Sequence, residues 1–206
     1  MKMLINDQYT NSPNDRVLDS IINKRNIGAP VIGMYCGYAP SELIRAVGAV
    51  PVCLCAFSRK TIPAAEAVLP SNLCPLIKSS YGHIITDTCP FYALSQAIIG
   101  ETTCDGKKKM FELISHIKPT YIMDLPQLPD EREALEAWTT MVHKLKAWIE
   151  KTFNTRITDD RLEAEIKESN QKKRLMNDFF KYIAHDRPLL DWSELYDVFG
   201  LELASD

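Results

Sequence analysis

Cysteine is the residue type whose number and spacing point most directly to chemistry in this sequence. All six cysteines lie before residue 105 of 206: Cys36, Cys53, Cys55, Cys74, Cys89 and Cys104. The first residues lack the apolar core of a signal peptide, so we expect a cytoplasmic protein. In a reducing compartment, clustered cysteines act as metal ligands, redox groups or buried thiols rather than as disulfides.

Four of these cysteines fall where a loop or a helix would begin. Cys36 directly follows an apolar run typical of a strand, and Cys104 lies just past another. Cys74 and Cys89 each precede a proline, which favours the first position of a helix, so each is a candidate N-cap. A helix N-terminus stabilises the thiolate that binds a metal. We interpret the four as metal ligands; the alternative is that they are buried small hydrophobes.

The other two cysteines form a Cys53-x-Cys55 pair. Cys53 lies inside a predicted strand, so we expect it to be buried in packing, away from the other candidates. Cys55 ends that strand, and for this residue the role of metal ligand and the role of buried small hydrophobe both stay open. Structural zinc sites usually show close pairs separated by two to four residues, which this chain lacks. Widely spaced cysteines that converge from several loops favour a cluster over a zinc finger.

Other motifs carry less weight. The segment 100–107 resembles a phosphate loop, but its glycines are one residue too far apart and Lys108 stands where Ser or Thr should bind magnesium. His83 and His116 have no second ligand at metal spacing, so we interpret them as surface or core residues. The lysines over 107–109 indicate a solvated helix start; the alternative is a small basic patch for a phosphate-bearing substrate or an acidic partner.

The elements that position the cysteines follow from the apolar pattern. Strands are predicted over 31–35, 50–54, 97–101 and 121–123, and helices over 42–47 and 107–117. Continuous apolar strands separated by helices are typical of a parallel sheet covered on both faces. In such a sheet ligands bind outside the carboxyl ends of the strands, where Cys36, Cys55 and Cys104 would lie.

From residue 130 the periodicity becomes helical. Apolar residues recur at three- and four-residue spacing over 130–153, Thr158 is a candidate cap for a second helix, and 191–199 could form a third. We therefore predict two parts: an α/β lobe over 1–129 and a helical connecting segment over 130–206. No apolar run approaches the ~18 residues of a membrane span, and a net charge of −3 argues against a nucleic-acid partner.

Three segments resemble, in the right order, the signature blocks of a known family. Residues 33–52, 73–82 and 102–108 are similar to those of the 2-hydroxyacyl-CoA dehydratase D-component family, which includes the double-cubane cluster proteins. The resemblance implies a flavodoxin-like lobe holding an oxygen-sensitive iron–sulfur cluster of the 4Fe-4S or double-cubane type. It also implies an ATP-hydrolysing activator protein that supplies electrons. In the dehydratases one electron converts a 2-hydroxyacyl-CoA thioester into a ketyl radical that expels water, whereas double-cubane proteins reduce small molecules.

The resemblance also assigns roles to residues. Cys74 and Cys104 match the ligand blocks of the family, and Cys36 and Cys89 look like the additional cysteines of the double-cubane type. Glu42, within the first block, is a candidate catalytic residue beside the cluster pocket. The alternative is a structural role, in which Glu42 is a carboxylate at the start of a helix and is stabilised there by the helix dipole.

Family members are considerably longer and carry a second α/β lobe with further cysteines. We therefore expect this chain to be one lobe of a larger site that a second lobe or a homologous subunit completes. An open pocket of that kind would expose an apolar patch of Met34, Tyr35, Tyr38 and Phe91. The alternative is a degenerate lobe without a cluster that acts as a protein-binding module.

Overall fold

The computed structural model describes residues 13–56, 58–184 and 190–204. Within them, four strands form one sheet: β1 (Val31–Met34), β2 (Val50–Cys53), β3 (Ala97–Glu101) and β4 (Thr120–Met123). The strand order is β2-β1-β3-β4, and every pair is parallel. The prediction of a parallel α/β sheet of flavodoxin-like order is confirmed.

Helices surround this sheet. In chain order they are α1 (Pro13–Asn26), α2 (Ser41–Ala46), α3 (Ile62–Glu66), α4 (Pro75–Ile85), α5 (Pro90–Leu94), α6 (Asp105–Ser115), α7 (Arg132–Phe153), α8 (Asp159–Ile183) and α9 (Trp192–Ala204). A 3-10 turn over Arg59–Thr61 leads into α3. As predicted, Thr158 caps α8, because its hydroxyl accepts the backbone N–H of Arg161. In the described residues, no helix combines the length and apolarity that a bilayer span requires.

Each face of the sheet is covered by its own layer of apolar side chains. On one face, Ile98 packs with residues of α4 and α6, including Phe111. On the other face, Ile32 and Ile99 pack with α2 and α7, including the fully buried Leu145. Burying a Leu, Ile or Phe side chain contributes about 1.5–3 kcal/mol. The strands are therefore continuously apolar because both of their faces are buried, and α7 shares a core with the sheet.

A glycine brings α6 close to β3. The ring of Phe111 lies over Gly100, where a Cβ atom would stand 2.5 Å from the ring Cζ. Phe111 is almost completely buried. The absence of a side chain at Gly100 therefore allows α6, and with it the loop that carries Cys104, to lie against the sheet.

The direction of winding changes between β1 and β3. The chain passes from β1 through α2 to β2 on one side, whereas β3 lies on the other side of β1. In open α/β sheets, ligands bind in the crevice outside the carboxyl ends of the strands at such a switch point. The segments that flank this crevice are the loop after β1, with Cys36, and the loop after β3, with Cys104.

Candidate functional site

Cys36 lies at the switch point in an unusual backbone conformation. It follows β1 by two residues and has a φ of 58°, in the left-handed region. That region costs roughly 1–3 kcal/mol for a residue with a side chain, and such strain clusters at functional sites. The side chain of Cys36 is half-buried. The fold thus holds this thiol in a position that an unconstrained loop would avoid.

A buried ion pair contacts the Cys36 sulfur. The ammonium of Lys107, in the first turn of α6, donates to Cys36 Sγ at 2.5 Å, to Glu101 Oε1 at 2.8 Å and to Thr103 Oγ1 at 2.9 Å. The second carboxylate oxygen of Glu101 accepts the backbone N–H of Thr103 at 2.8 Å. Glu101 is 1% exposed and Lys107 is 9% exposed. Each ammonium proton therefore has an acceptor, which is the condition for a tolerable buried charge.

The hydrogen bonds decide the charge state of this pair. Burial favours the neutral carboxyl, but the bonds from Lys107, Cys36 and Thr103 hold the pKa of Glu101 below its ordinary value. Burial likewise opposes the ammonium, yet its bonds to Cys36 and Glu101 raise the pKa of Lys107. Both groups are thus charged at neutral pH. Burial raises the pKa of the Cys36 thiol, with Lys107 acting against that rise and Glu101 adding to it.

The Cys53-x-Cys55 pair lies next to Cys36. Each thiol perturbs the other: Cys55 lowers the pKa of Cys53 to about 6, and Cys53 together with burial raises the pKa of Cys55. Both cysteines of the pair are half-buried. The expectation that Cys53 is buried away from the other thiols is wrong. Alternate residues of an extended chain share a face, so Cys53 and Cys55 point the same way.

Cys74 and Cys104 occupy equivalent places on two neighbouring helices. Each is the N-cap of its helix, α4 and α6 respectively, and each thiol is exposed and makes no capping hydrogen bond. The two helix starts are in contact, because a Cβ atom on Gly106 would lie 2.7 Å from Leu73 Cδ1. Two thiols that make no capping hydrogen bond therefore lie at adjacent helix N-termini, where the helix dipoles place partial positive charge.

Cys89 has a different environment. It is the N-cap of α5, and its sulfur accepts the backbone N–H of Tyr92 at 3.4 Å. Lys118, two residues before β4, donates to the carbonyls of Tyr92 and Ser95. This contact places α5 towards the amino end of β4. Cys36 and Cys104, in contrast, follow the carboxyl ends of β1 and β3.

Glu42 lies in the first turn of α2 and faces α8. Its Oε1 is 3.9 Å from the ammonium of Lys173, and its side chain is mostly buried. Arg45, one turn later, pairs with Glu165 of α8 at 3.2 Å. These contacts are typical of a carboxylate at the start of a helix that packs against a second helix. A catalytic role for Glu42 stays a prediction.

The expected apolar patch is present only in part. Tyr38 is 51% exposed, but Met34 and Phe91 are half-buried. Tyr35 is buried, with its ring 5.5 Å from that of Phe111. Its side chain enters the core between the sheet and α6 instead of facing the crevice, so the expectation for Tyr35 is wrong.

A groove of about 590 Å³ opens beside the crevice. Its lining comes from the loops after β1, β3 and β4 and from α7, and it includes Tyr38, Thr102, Thr103, Leu125, Leu135 and Trp138. Thr103 belongs both to this groove and to the hydrogen-bond network of Lys107. A molecule in the groove would therefore lie next to the segment that carries Cys104.

The chain matches the family described as 2-hydroxyglutaryl-CoA dehydratase, D-component, over residues 36–206. It belongs to this family. It is 38% identical over 192 residues to the "Putative dehydratase subunit YjiM" of Escherichia coli (strain K12), a match that covers 93% of this chain and 50% of that protein. It is 24% identical over 177 residues to the "Lactoyl-CoA dehydratase subunit beta" of Anaerotignum propionicum, covering 85% and 46%. The chain thus spans about half the length of these curated dehydratase subunits.

The thiols suit the chemistry that the resemblance to the dehydratase family implies. Thiolates are the ligands of iron–sulfur clusters, and the exposed sulfurs of Cys74 and Cys104 carry no hydrogen bond to their own helices. Across the described part of the chain, no three His, Cys, Asp or Glu side chains converge closely enough to hold one metal ion. The donor type fits, and the helix starts that carry Cys74 and Cys104 lie side by side.

Glu101 and Lys107 were missed as site residues by the sequence reasoning. The sequence predicts a solvated helix start over 107–109, but of these three lysines only Lys108 and Lys109 are exposed. A charged residue at the end of an otherwise apolar strand was the signal, because Glu101 needs a buried cation as its partner.

Proposed function

We propose that this chain is the iron–sulfur lobe of a dehydratase-like or double-cubane reductase system. Cys74 and Cys104 are its core ligands, Cys36 is a further ligand, and Cys89 is one only in a double-cubane arrangement. The observation that carries the proposal is the pairing of two exposed N-cap thiols, on α4 and α6, within segments that resemble the family's ligand blocks. Of the four proposed cluster ligands, Cys89 has the weakest support, because its sulfur already accepts a hydrogen bond from α5.

The surrounding residues support such a ligand set. A cluster of the 4Fe-4S or double-cubane type supplies one-electron transfer at low potential when bound. The helix dipoles of α4 and α6 place partial positive charge beside Cys74 and Cys104, which suits a negatively charged cluster. Cys36 is held by the strained loop after β1 and by Lys107.

Partners complete the proposed system. A cubane takes about four thiolate ligands, and a double cubane takes more, so we propose that a second lobe or a homologous subunit supplies the remainder. An ATP-hydrolysing activator protein delivers the electrons. The substrate is a CoA thioester or another small molecule, in line with the naming of one relative as a lactoyl-CoA dehydratase subunit. The groove beside Thr103 is the proposed place for that substrate.

A second candidate function is a protein-binding module without a cluster. It is favoured by the finding that, among the residues the structure describes, no three metal-binding side chains converge. Under this alternative the thiols of Cys74 and Cys104 are surface groups, and the fold presents a surface to a partner subunit.

Anaerobic reconstitution with iron and sulfide distinguishes the two functions. The chain is combined with its partner subunits, and bound iron is measured for the wild type, Cys74→Ser, Cys104→Ser and the control Cys53→Ser. We expect the first two variants to lose most of the iron and the control to keep it, because Cys53 lies outside the segments 73–82 and 102–108 that resemble the family's ligand blocks. An assembly that binds no iron at all would support the binding module instead.

A further inference from the structure

The ion pair of Lys107 and Glu101 is costly and therefore calls for an explanation. Removing two charges from water carries a large desolvation penalty, and well-packed apolar residues often replace such a pair without loss of stability. The ammonium also gives one of its three protons to a sulfur, Cys36 Sγ, in addition to its bonds to Glu101 and Thr103.

Packing already accounts for the attachment of α6 to the sheet. Phe111, Met110 and Ile114 of this helix are all almost completely buried. The ring of Phe111 closes directly on Gly100 of β3. The ion pair is therefore not needed to seat the helix, and its distinctive contact is the one to Cys36.

The two neighbouring lysines of α6 form exposed ion pairs and provide a comparison for Lys107. Lys108 pairs with Asp105 at 3.3 Å and Lys109 pairs with Glu112 at 2.9 Å, and all four of these side chains are exposed. Exposed pairs of this kind contribute little to stability, because water screens them. Lys107 differs from both, because it points inward and reaches the loop after β1.

We propose that Lys107 is a positioning residue, anchored by Glu101, that holds the Cys36 sulfur through a charged N–H···S hydrogen bond and thereby tunes the cluster bound there. This inference rests on the proposed iron–sulfur function. Hydrogen bonds to cluster sulfurs are among the factors that set a reduction potential. A positive donor draws electron density from the ligand and favours the reduced state, so its loss shifts the potential to more negative values.

The test uses the reconstituted assembly of this chain with its partner subunits under anaerobic conditions. Bound iron and the midpoint potential, from redox titration followed by electron paramagnetic resonance, are compared for the wild type and three variants: Lys107→Met, Lys107→Arg and the control Lys109→Met. We expect a more negative potential and faster loss of iron to a chelator for Lys107→Met. Lys107→Arg retains a charged donor and should recover part of the wild-type potential, and Lys109→Met should match the wild type.

A double variant covers the case in which Lys107→Met does not fold because Glu101 is left unpaired. Glu101→Gln combined with Lys107→Met removes both charges, so the net charge around the cluster is unchanged, while the N–H···S bond is lost together with the bonds from Lys107 to Glu101 and Thr103. We expect its potential to stay more negative than that of the wild type. A double variant with the wild-type potential and chelator half-life would overturn the role of Lys107 alone, whereas a wild-type assembly without iron would overturn the proposed function as well.

Discussion

Gly100→Ala should disturb the candidate site from inside the core. The added Cβ would lie 2.5–2.7 Å from three ring atoms of Phe111, well inside van der Waals contact. Because that ring is almost completely buried, it cannot move away without displacing α6. Overpacking of this kind costs about 1–3 kcal/mol. The displacement would also move the start of α6, which carries Cys104.

Urea unfolding of the wild type, Gly100→Ala and two further variants measures this effect. Gly37→Ala is the matched control, because a Cβ at Gly37 meets nothing within 4 Å and its φ is not positive. We expect Gly100→Ala to lose about 1–3 kcal/mol of unfolding free energy and Gly37→Ala to lose almost none. Phe111→Leu in the Gly100→Ala background should recover part of the loss. A Gly100→Ala variant as stable as the Gly37→Ala control would refute the close packing of α6 on β3.

Three further predictions concern charge and packing. Glu101→Ala should destabilise the chain by about 3–5 kcal/mol, since it leaves a buried ammonium unpaired, and adding Lys107→Met should relieve most of that loss in urea unfolding. Folding lowers the pKa of Glu101, so its carboxylate should contribute to the free energy of unfolding above about pH 4.3 and lose that contribution as the pH falls through the folded pKa. Glu101→Gln should abolish this pH dependence. Leu145→Ala should cost about 2–5 kcal/mol in one cooperative transition, because Leu145 is fully buried against the sheet; a separate transition for the helical segment would contradict this.

The sheet could be predicted because its local patterns are unambiguous. The strand predicted over 97–101 coincides with β3, and all five of its residues are buried, as expected of a central strand. The cap at Thr158 could be predicted because Thr is a preferred N-cap residue and stands just before a helical apolar pattern. The helix α1 was not predicted, although Val17, Leu18 and Ile21 form a buried stripe. The short turns over 59–66 were also missed, because their shape depends on packing against α4.

The candidate site was harder to predict because its contacts cross the fold. The positions of Cys74 and Cys104 at helix starts follow from local signals, whereas the contact between the two helices depends on how α4 and α6 pack. Burial of Lys107 depends on Glu101 and on the loop after β1, which is 71 residues away in sequence. Tyr35 does not line the crevice because it continues the alternation of β1 and shares the face of Val31, which α6 covers.

The most direct test of the proposed cluster is anomalous diffraction at the iron absorption edge. Crystals would be grown anaerobically from the reconstituted assembly of this chain with its partner subunits. The account predicts iron density bonded to the sulfurs of Cys74 and Cys104, at the adjoining starts of α4 and α6. Iron bound elsewhere in the assembly, with both of these sulfurs free of metal, would contradict it.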